Sequence, residues 1–190
     1  MHRPLIILGA VCLISACGPK PPEEAKNTNA SPDANPAATV LTPANEAKAV
    51  DFVPKAAASD MFEIEAAKIA DTRSTNPAVK DFAKMMGETH TKSSAALSAA
   101  LAVANAGITP PAALPDDLQG KLDDLNKADA KDFDKKYIDG QEDAHQKALD
   151  LLTRYANDGD MPAIKSFAVA QISTVQAHLE SAKALKDKLK

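Results

Sequence analysis

Asn76-Pro77-Ala78-Val79-Lys80-Asp81-Phe82-Ala83-Lys84-Met85-Met86-Gly87-Glu88-Thr89-His90 is the stretch whose reading decides the fold. Asparagine followed by proline is a helix start. The Asn side chain can cap free backbone N–H groups, and Pro at the first helical position gives up only an N–H that has no partner within the helix. From there Val79, Phe82, Ala83, Met86, Leu97 and Leu101 recur at helical spacing, and a step of about 100° per residue lays them along one stripe. His90 sits in the middle of that stripe, where an unpaired polar group is costly. Glu88 points to the far side. The helix is expected to run to about Asn105, with Gly107 as its stop.

The same pattern recurs three times around this helix. A preceding helix is predicted from Asp51 to Arg73, with Asp51 as its cap, Pro54 in its first turn, and Ala44–Val50 as a kinked extension. Its stripe is Phe52, Ala56, Ala66, Ala67 and Ala70; Glu63 lies near the middle and Glu65 points away. After a connection holding Pro110, Pro111 and Pro115 and a short helical piece near Asp116–Leu125, a third long helix runs from Asp129 to about Asn157. Its face is Phe133, Tyr137, Ala144, Ala148, Leu151, Leu152 and Tyr155, with Gln141 near the centre and His145 inside the stripe. Asp160 and Pro162 open the last helix, where Ile164, Phe167, Ala168, Gln171, Val175, His178, Ala182 and Leu185 line up. No run alternates as a strand would. The expectation is an all-α, ferritin-like four-helix bundle over residues 46–190, with the long connection between the second and third helices running as a crossover.

The N-terminus reads differently. Met1-His2-Arg3 is a short basic start, and Leu5 to Ile14 is an apolar run too short for an ordinary membrane-spanning helix. It ends in Leu13-Ile14-Ser15-Ala16-Cys17, which resembles the lipobox of bacterial lipoproteins, whose chemistry lipidates the Cys and cleaves before it. A plain signal peptide with an unmodified Cys is the alternative. Residues 1–16 are thus expected to be a signal peptide, Cys17 a lipid anchor on the periplasmic side of the envelope, and 17–45 a Pro- and Asn-rich tether. Gly18 after the Cys favours the outer membrane.

The 190-residue chain carries 22 basic and 26 acidic residues. Without Arg3 and its signal segment the balance is about −5 by simple counting. A mildly acidic chain without basic clusters is a poor partner for nucleic acid. With Cys12 removed and Cys17 lipidated, no thiol remains for catalysis or a disulfide. No Gly-rich phosphate loop and no Ser-His-Asp order is present. Met61, Met85, Met86 and Met161 are not spaced as a soft copper site, and Met85-Met86 reads as core filling.

Phe52-Val53 with Ala56-Ala57, Glu63, Asn76-Pro77 with Val79-Lys80, Phe82-Ala83 leading to Met85 and His90, Phe133-Asp134, Tyr137, His145, Phe167-Ala168 and His178-Leu179 follow one another in an order that resembles a bacterial ferritin-like family, domain of unknown function four-one-four-two. The resemblance implies a ferritin-like bundle in the cell envelope and no established activity. Three positions depart from it. Thr89 and Ala144 stand where the family usually has an acidic residue just before the His, and Ile172-Ser173 replaces a Leu-Pro pair.

Glu63, His90, His145 and His178 therefore form the candidate site. As metal ligands, imidazoles with one carboxylate suit zinc, copper(II) or iron. A di-iron centre needs about four carboxylates and two Glu-x-x-His motifs; Glu142 to His145 has that spacing, but Glu142 turns away. The other reading is a metal-free structural layer in which Glu63 accepts hydrogen bonds from the histidines and Tyr137, Gln141 and Gln171 complete the network. The functional expectations are an envelope lipoprotein binding a transition metal in stress protection, a metal-free interaction or scaffold module, and, third, a ferroxidase-type oxidoreductase.

Overall fold

The computed structural model describes residues 47–189; the signal peptide, Cys17 and the tether expected from the sequence lie outside the described residues. Five helices follow in order: α1 Ala49–Arg73, α2 Pro77–Ala104, α3 Asp116–Asn126, α4 Ala130–Asp158 and α5 Pro162–Lys188. No described residue is in a strand. None of these helices is long and apolar enough to cross a membrane.

The ends of α2 form for the reasons its sequence suggests. The Asn76 side chain accepts from the Ala78 N–H at 3.0 Å, with Pro77 at the first helical position. At the far end Asn105 adopts the left-handed conformation (φ 46°), and the Ala106 N–H reaches back to the Leu101 carbonyl at 3.3 Å, an ending that Asn tolerates better than most residues. Gly107 (φ 63°) follows outside the helix.

Three expectations about helix ends change. The residue before α1 is Lys48, which makes no side-chain cap; Asp51 sits inside the first turn. The helix starting at Ala49 places Pro54 beyond that turn, and the carbonyl left without its donor belongs to Val50, an exposed residue that water can serve. Asp160 does not cap α5, which begins after Met161. It caps α1 from a distance instead: its Oδ1 accepts from the Ala49 N–H at 2.9 Å and from the Tyr155 hydroxyl at 3.0 Å.

Topology follows from such ties. Asp160, between α4 and α5, meets the start of α1, while Arg73, the last residue of α1, meets the segment leading into α4. The Arg73 guanidinium donates to the carbonyls of Leu125 (2.8 Å), Asn126 (2.5 Å) and Ala128 (2.6 Å), and its carbon stands 4.8 Å from the centre of the Phe133 ring. So α1 and α4 are antiparallel, as are the hairpin pairs α1–α2 and α4–α5. Contacts join α1 to α2 and α4, and α5 to α2 and α4, which leaves α2 and α4 parallel on a diagonal. The chain must therefore travel back along the bundle between them, and α3 packs against α1 on the way. This is the long crossover expected from the sequence.

The buried apolar side chains fall into two clusters. One gathers Phe62, Ala70, Val79, Phe82, Met86, Leu122, Phe133 and Tyr137. The other gathers Phe52, Val53, Leu97, Leu101, Tyr155, Ile164 and Phe167, with Phe52 stacked on Tyr155 at 4.1 Å. Met85 belongs to neither; it is exposed, and only Met86 fills the core. Between the clusters lie Asp60, Glu63, His90, Gln141, His145 and His178, all buried.

Arg73→Ala removes three charge-assisted bonds to carbonyls at the end of α3, of which only that of Leu125 also accepts a backbone N–H, from Ala128 at 3.3 Å, so urea unfolding should show a loss of about 2 kcal/mol. Arg73→Lys should recover only part, because an ammonium cannot span the fork geometry. Equal stability of the two variants and the parent protein would contradict the crossover tie.

Candidate metal centre

Each histidine is delivered by the stripe of its own helix: His90 by α2, His145 by α4 and His178 by α5. The three rings stand 5.3 to 5.7 Å apart, centre to centre. One ring nitrogen from each lies within 4.8 Å of the others. The common depth in the bundle depends on the crossover, since α2 and α4 start at the same end and run in parallel.

The outer nitrogens are committed to oxygen. His90 Nδ1 lies 2.8 Å from Asp60 Oδ1, and His145 Nδ1 lies 2.8 Å from the Gln141 backbone carbonyl. A carboxylate and a carbonyl only accept, so both Nδ1 atoms carry the proton and donate. In the neutral rings both Nε2 atoms are then lone pairs, and these two atoms face each other at 3.5 Å. Two lone pairs cannot bond; a proton or a cation must join them. His178 Nδ1 is buried with no hydrogen-bond partner.

Asp60 is the residue that sequence reasoning misses. It is 5 % exposed, it anchors His90, and its Oδ2 is 3.4 Å from the Ser94 hydroxyl. The signal was present: Asp60 follows Ala56 by four residues and precedes Glu63 by three, so it shares their face.

Glu63 does not join the three histidines. Its Oε2 accepts from the Gln141 amide at 2.6 Å, and its Oε1 is 3.9 Å from His145 Nδ1, the nitrogen already bonded to the carbonyl. The expected bonds from histidines to Glu63 are thus replaced by one from Gln141. Glu63 Oε1, the Tyr137 hydroxyl and Gln141 Oε1 are buried without partners. Gln171 is half-buried and lines a cavity beside His90 and His178. Glu65 pairs with Lys68 on the surface, Glu88 is exposed, and Glu142 pairs with Lys186. Thr89 bonds back to the Met85 carbonyl, so this position offers the site no carboxylate.

The electrostatics divide the cluster. Burial opposes a charge on His90, but the Asp60 hydrogen bond and the negative charges of Glu63 and Asp60 outweigh it and raise its pKa. Burial, reinforced by the charge on His90, pushes His145 down to about 3 and His178 down to about 4. Burial raises Glu63 to about 7 against the pull of His90 and Gln141, and burial with the nearby Glu63 charge raises Tyr137. Metal-free, the arrangement favours a proton on His90 over one on His145 or His178, and the gap between His90 Nε2 and His145 Nε2 is where that proton would sit.

That gap also fits a metal. Two nitrogens bound at about 2.0–2.1 Å to a tetrahedral ion stand roughly 3.4 Å apart. A carboxylate or carbonyl holding the outer N–H of a metal-binding imidazole is the usual support for such ligands.

Comparison with known proteins agrees with the geometry without adding an activity. Residues 34–185 match the family described as a domain of unknown function, DUF4142. The chain belongs to that family. No curated protein matches it. A crystal structure of a DUF305 fragment from Deinococcus radiodurans is similar in fold, with a TM-score of 0.64 at 13 % identity, covering 73 % of this chain and 95 % of that one.

The shifts fix the acid response of the metal-free protein. Unfolded histidines protonate near 6.5, whereas His145 and His178 in the fold wait until about 3 and 4. Their stabilisation is complete above 6.5 and is lost as pH falls through that window. Glu63 ionises near 4.5 when unfolded and about 7 when folded, so its contribution is complete below 4.5 and is lost as pH rises toward 7. Two histidines outweigh one carboxyl from 6.5 to 4.5, and below 4.5 they act unopposed. Chelator-treated protein should lose on the order of 1 kcal/mol per pH unit between 6.5 and 4.5 in urea unfolding, with the slope flattening below about 4 as His178 and then His145 take up protons in the fold. A flat or rising stability over that range would contradict neutral buried imidazoles.

Proposed function

We propose that this protein binds one first-row transition-metal ion through His90, His145 and His178. The observation that carries the reading is the pair of imidazoles locked by Asp60 and the Gln141 carbonyl so that both Nε2 lone pairs meet across 3.5 Å. Three neutral nitrogens suit zinc, copper(II) or iron(II), with copper favoured over zinc by intrinsic affinity. His178 closes the set by moving in about 1 Å, within the reach of a small ring adjustment. Asp60 and Glu63 stand on either side, and an ion of charge +2 would leave the buried layer close to neutral once it draws Glu63 into its ionised form. A bound ion would supply Lewis acidity or redox capacity; the chain supplies orientation and charge balance.

The lipobox-like Leu13-Ile14-Ser15-Ala16-Cys17 supports an envelope setting, with the lipid holding the domain at the membrane and the bundle acting in metal handling or stress protection there. The cluster does not favour a ferroxidase of the di-iron kind, because Asp60 is engaged with His90 and Glu63 with Gln141. A metal-free scaffold is the second reading. It is favoured by one observation: a single extra proton on His90 completes a chain of bonds from Asp60 through His90 and His145 to Gln141 and Glu63. That arrangement leaves His178 Nδ1 without a partner, which weighs toward the metal.

Protein purified without a polyhistidine tag should take up one zinc or copper(II) per chain, and saturating metal at 100 times Kd should add about 2.7 kcal/mol to its stability. His90→Ala should abolish stoichiometric binding, and Asp60→Ala should weaken it roughly 10- to 100-fold while leaving the three ligands in place. Absence of bound metal, with melting unchanged by added zinc, copper or iron, would leave the scaffold reading standing.

A further inference from the structure

The histidine layer has two unlike sides. Toward Phe62 and Tyr137 it is backed by Gln141 and Glu63. On the other side, toward Leu97 and Phe167, it borders a cavity of about 30 Å³. His90, His178 and Asp60 line this cavity and His145 does not. A cavity needs about 10–15 Å³ to hold one water, so this one has room for about two.

Its walls are not those of an accidental packing gap. Ser93 lies one turn beyond His90 on α2, and Thr174 and Gln171 lie one and two turns before His178 on α5, so both helices whose histidines border the cavity also bring polar side chains to it. Leu151, Leu152, Phe167 and Val175 supply apolar surface to the same cavity. A mostly apolar lining with a few hydrogen-bonding groups and two imidazoles among it is the composition of a small-ligand pocket.

We propose that a metal held by the three histidines has its fourth coordination position in this cavity, and that the position takes a small exogenous ligand of about one to three heavy atoms, of the class of hydroxide, peroxide, dioxygen or azide. The inference rests on the three-histidine metal reading. Three protein ligands leave a tetrahedral ion one position short. Glu63 and Gln141 occupy the far side of the layer, and the cavity is the space bordered directly by two of the three rings. Ser93, Thr174 and Gln171 would bond the distal atom of the ligand, while Leu152, Phe167 and Val175 exclude anything bulky. The pocket therefore selects by size, admitting small anions and diatomics and refusing organic substrates.

The test uses the full chain loaded with copper(II) and titrated with azide, followed by visible absorption and electron paramagnetic resonance. Azide should produce a new charge-transfer band and altered copper parameters at one azide per copper, with the copper retained. Ser93→Leu fills the cavity without touching a histidine and should keep one copper per chain while weakening azide binding at least tenfold. Ala148→Leu fills the same space from α4 and should do the same, which covers the case in which Ser93→Leu misfolds. A copper-loaded protein that gives no azide response, or variants that bind azide as the parent does, would overturn the pocket while leaving the metal site intact. Failure to bind copper at all would overturn both.

Discussion

The contact on which the rest of this structure depends is the approach of two imidazole nitrogens, His90 Nε2 and His145 Nε2, to 3.5 Å inside a helical bundle. Apolar side chains would fill this level at far lower cost, since every buried polar group must find a partner. Instead the core is cut in two. Phe82, Met86 and Phe133 pack on one side, and Phe52, Leu97 and Phe167 on the other. The layer between them is kept in register by the outer bonds to Asp60 and Gln141. Those bonds in turn require the crossover that brings α2 and α4 parallel and the ties of Arg73 and Asp160 that hold the two ends of the bundle.

The same bonds give the layer its chemistry. An imidazole whose Nδ1–H is held by oxygen turns a basic Nε2 to the interior. His90 and His145 are two such rings, and with His178 packed against them burial and the charge of His90 hold His145 and His178 far below the ordinary histidine range. His145 and His178 stay neutral through the physiological range and present lone pairs to whatever cation fits among the rings. Carboxylates flank the cluster without entering it, which separates this site from carboxylate-rich di-iron centres and aligns it with sites where nitrogen donors bind one ion and leave a position open.

Much of this is legible in the sequence, for physical reasons that also mark its limits. Helix phase depends only on the backbone repeat, so it places His90, His145 and His178 on buried stripes, turns Glu65 and Glu88 outward, and identifies the short helix in the crossover through its proline-rich approach. Rotation of one helix against another is not encoded in a single stripe. Hence phase alone groups Glu63 with the histidines, although the structure aims it at Gln141 and gives the carboxylate contact with His90 to Asp60, one turn earlier. Asp160 illustrates a related limit. Next to Pro162 it resembles a local cap, yet its partner is Ala49, 111 residues away. Long-range caps have no local signature. Gln171 sits on the expected face, but half-burial and a neighbouring cavity set its surroundings, and these arise only when four helices meet.

The central claim is that His90 and His145 hold their Nδ1 protons outward and turn Nε2 toward a shared ion. Nitrogen-15 NMR of histidine-labelled, chelator-treated protein reads this directly, ring by ring. The account predicts that His145 is the Nδ1–H tautomer with an unprotonated Nε2, and that one equivalent of zinc shifts the Nε2 resonances of His90, His145 and His178 together while their Nδ1 protons persist at His90 and His145. An Nε2–H tautomer at His145, or Nε2 resonances that ignore zinc, would contradict it.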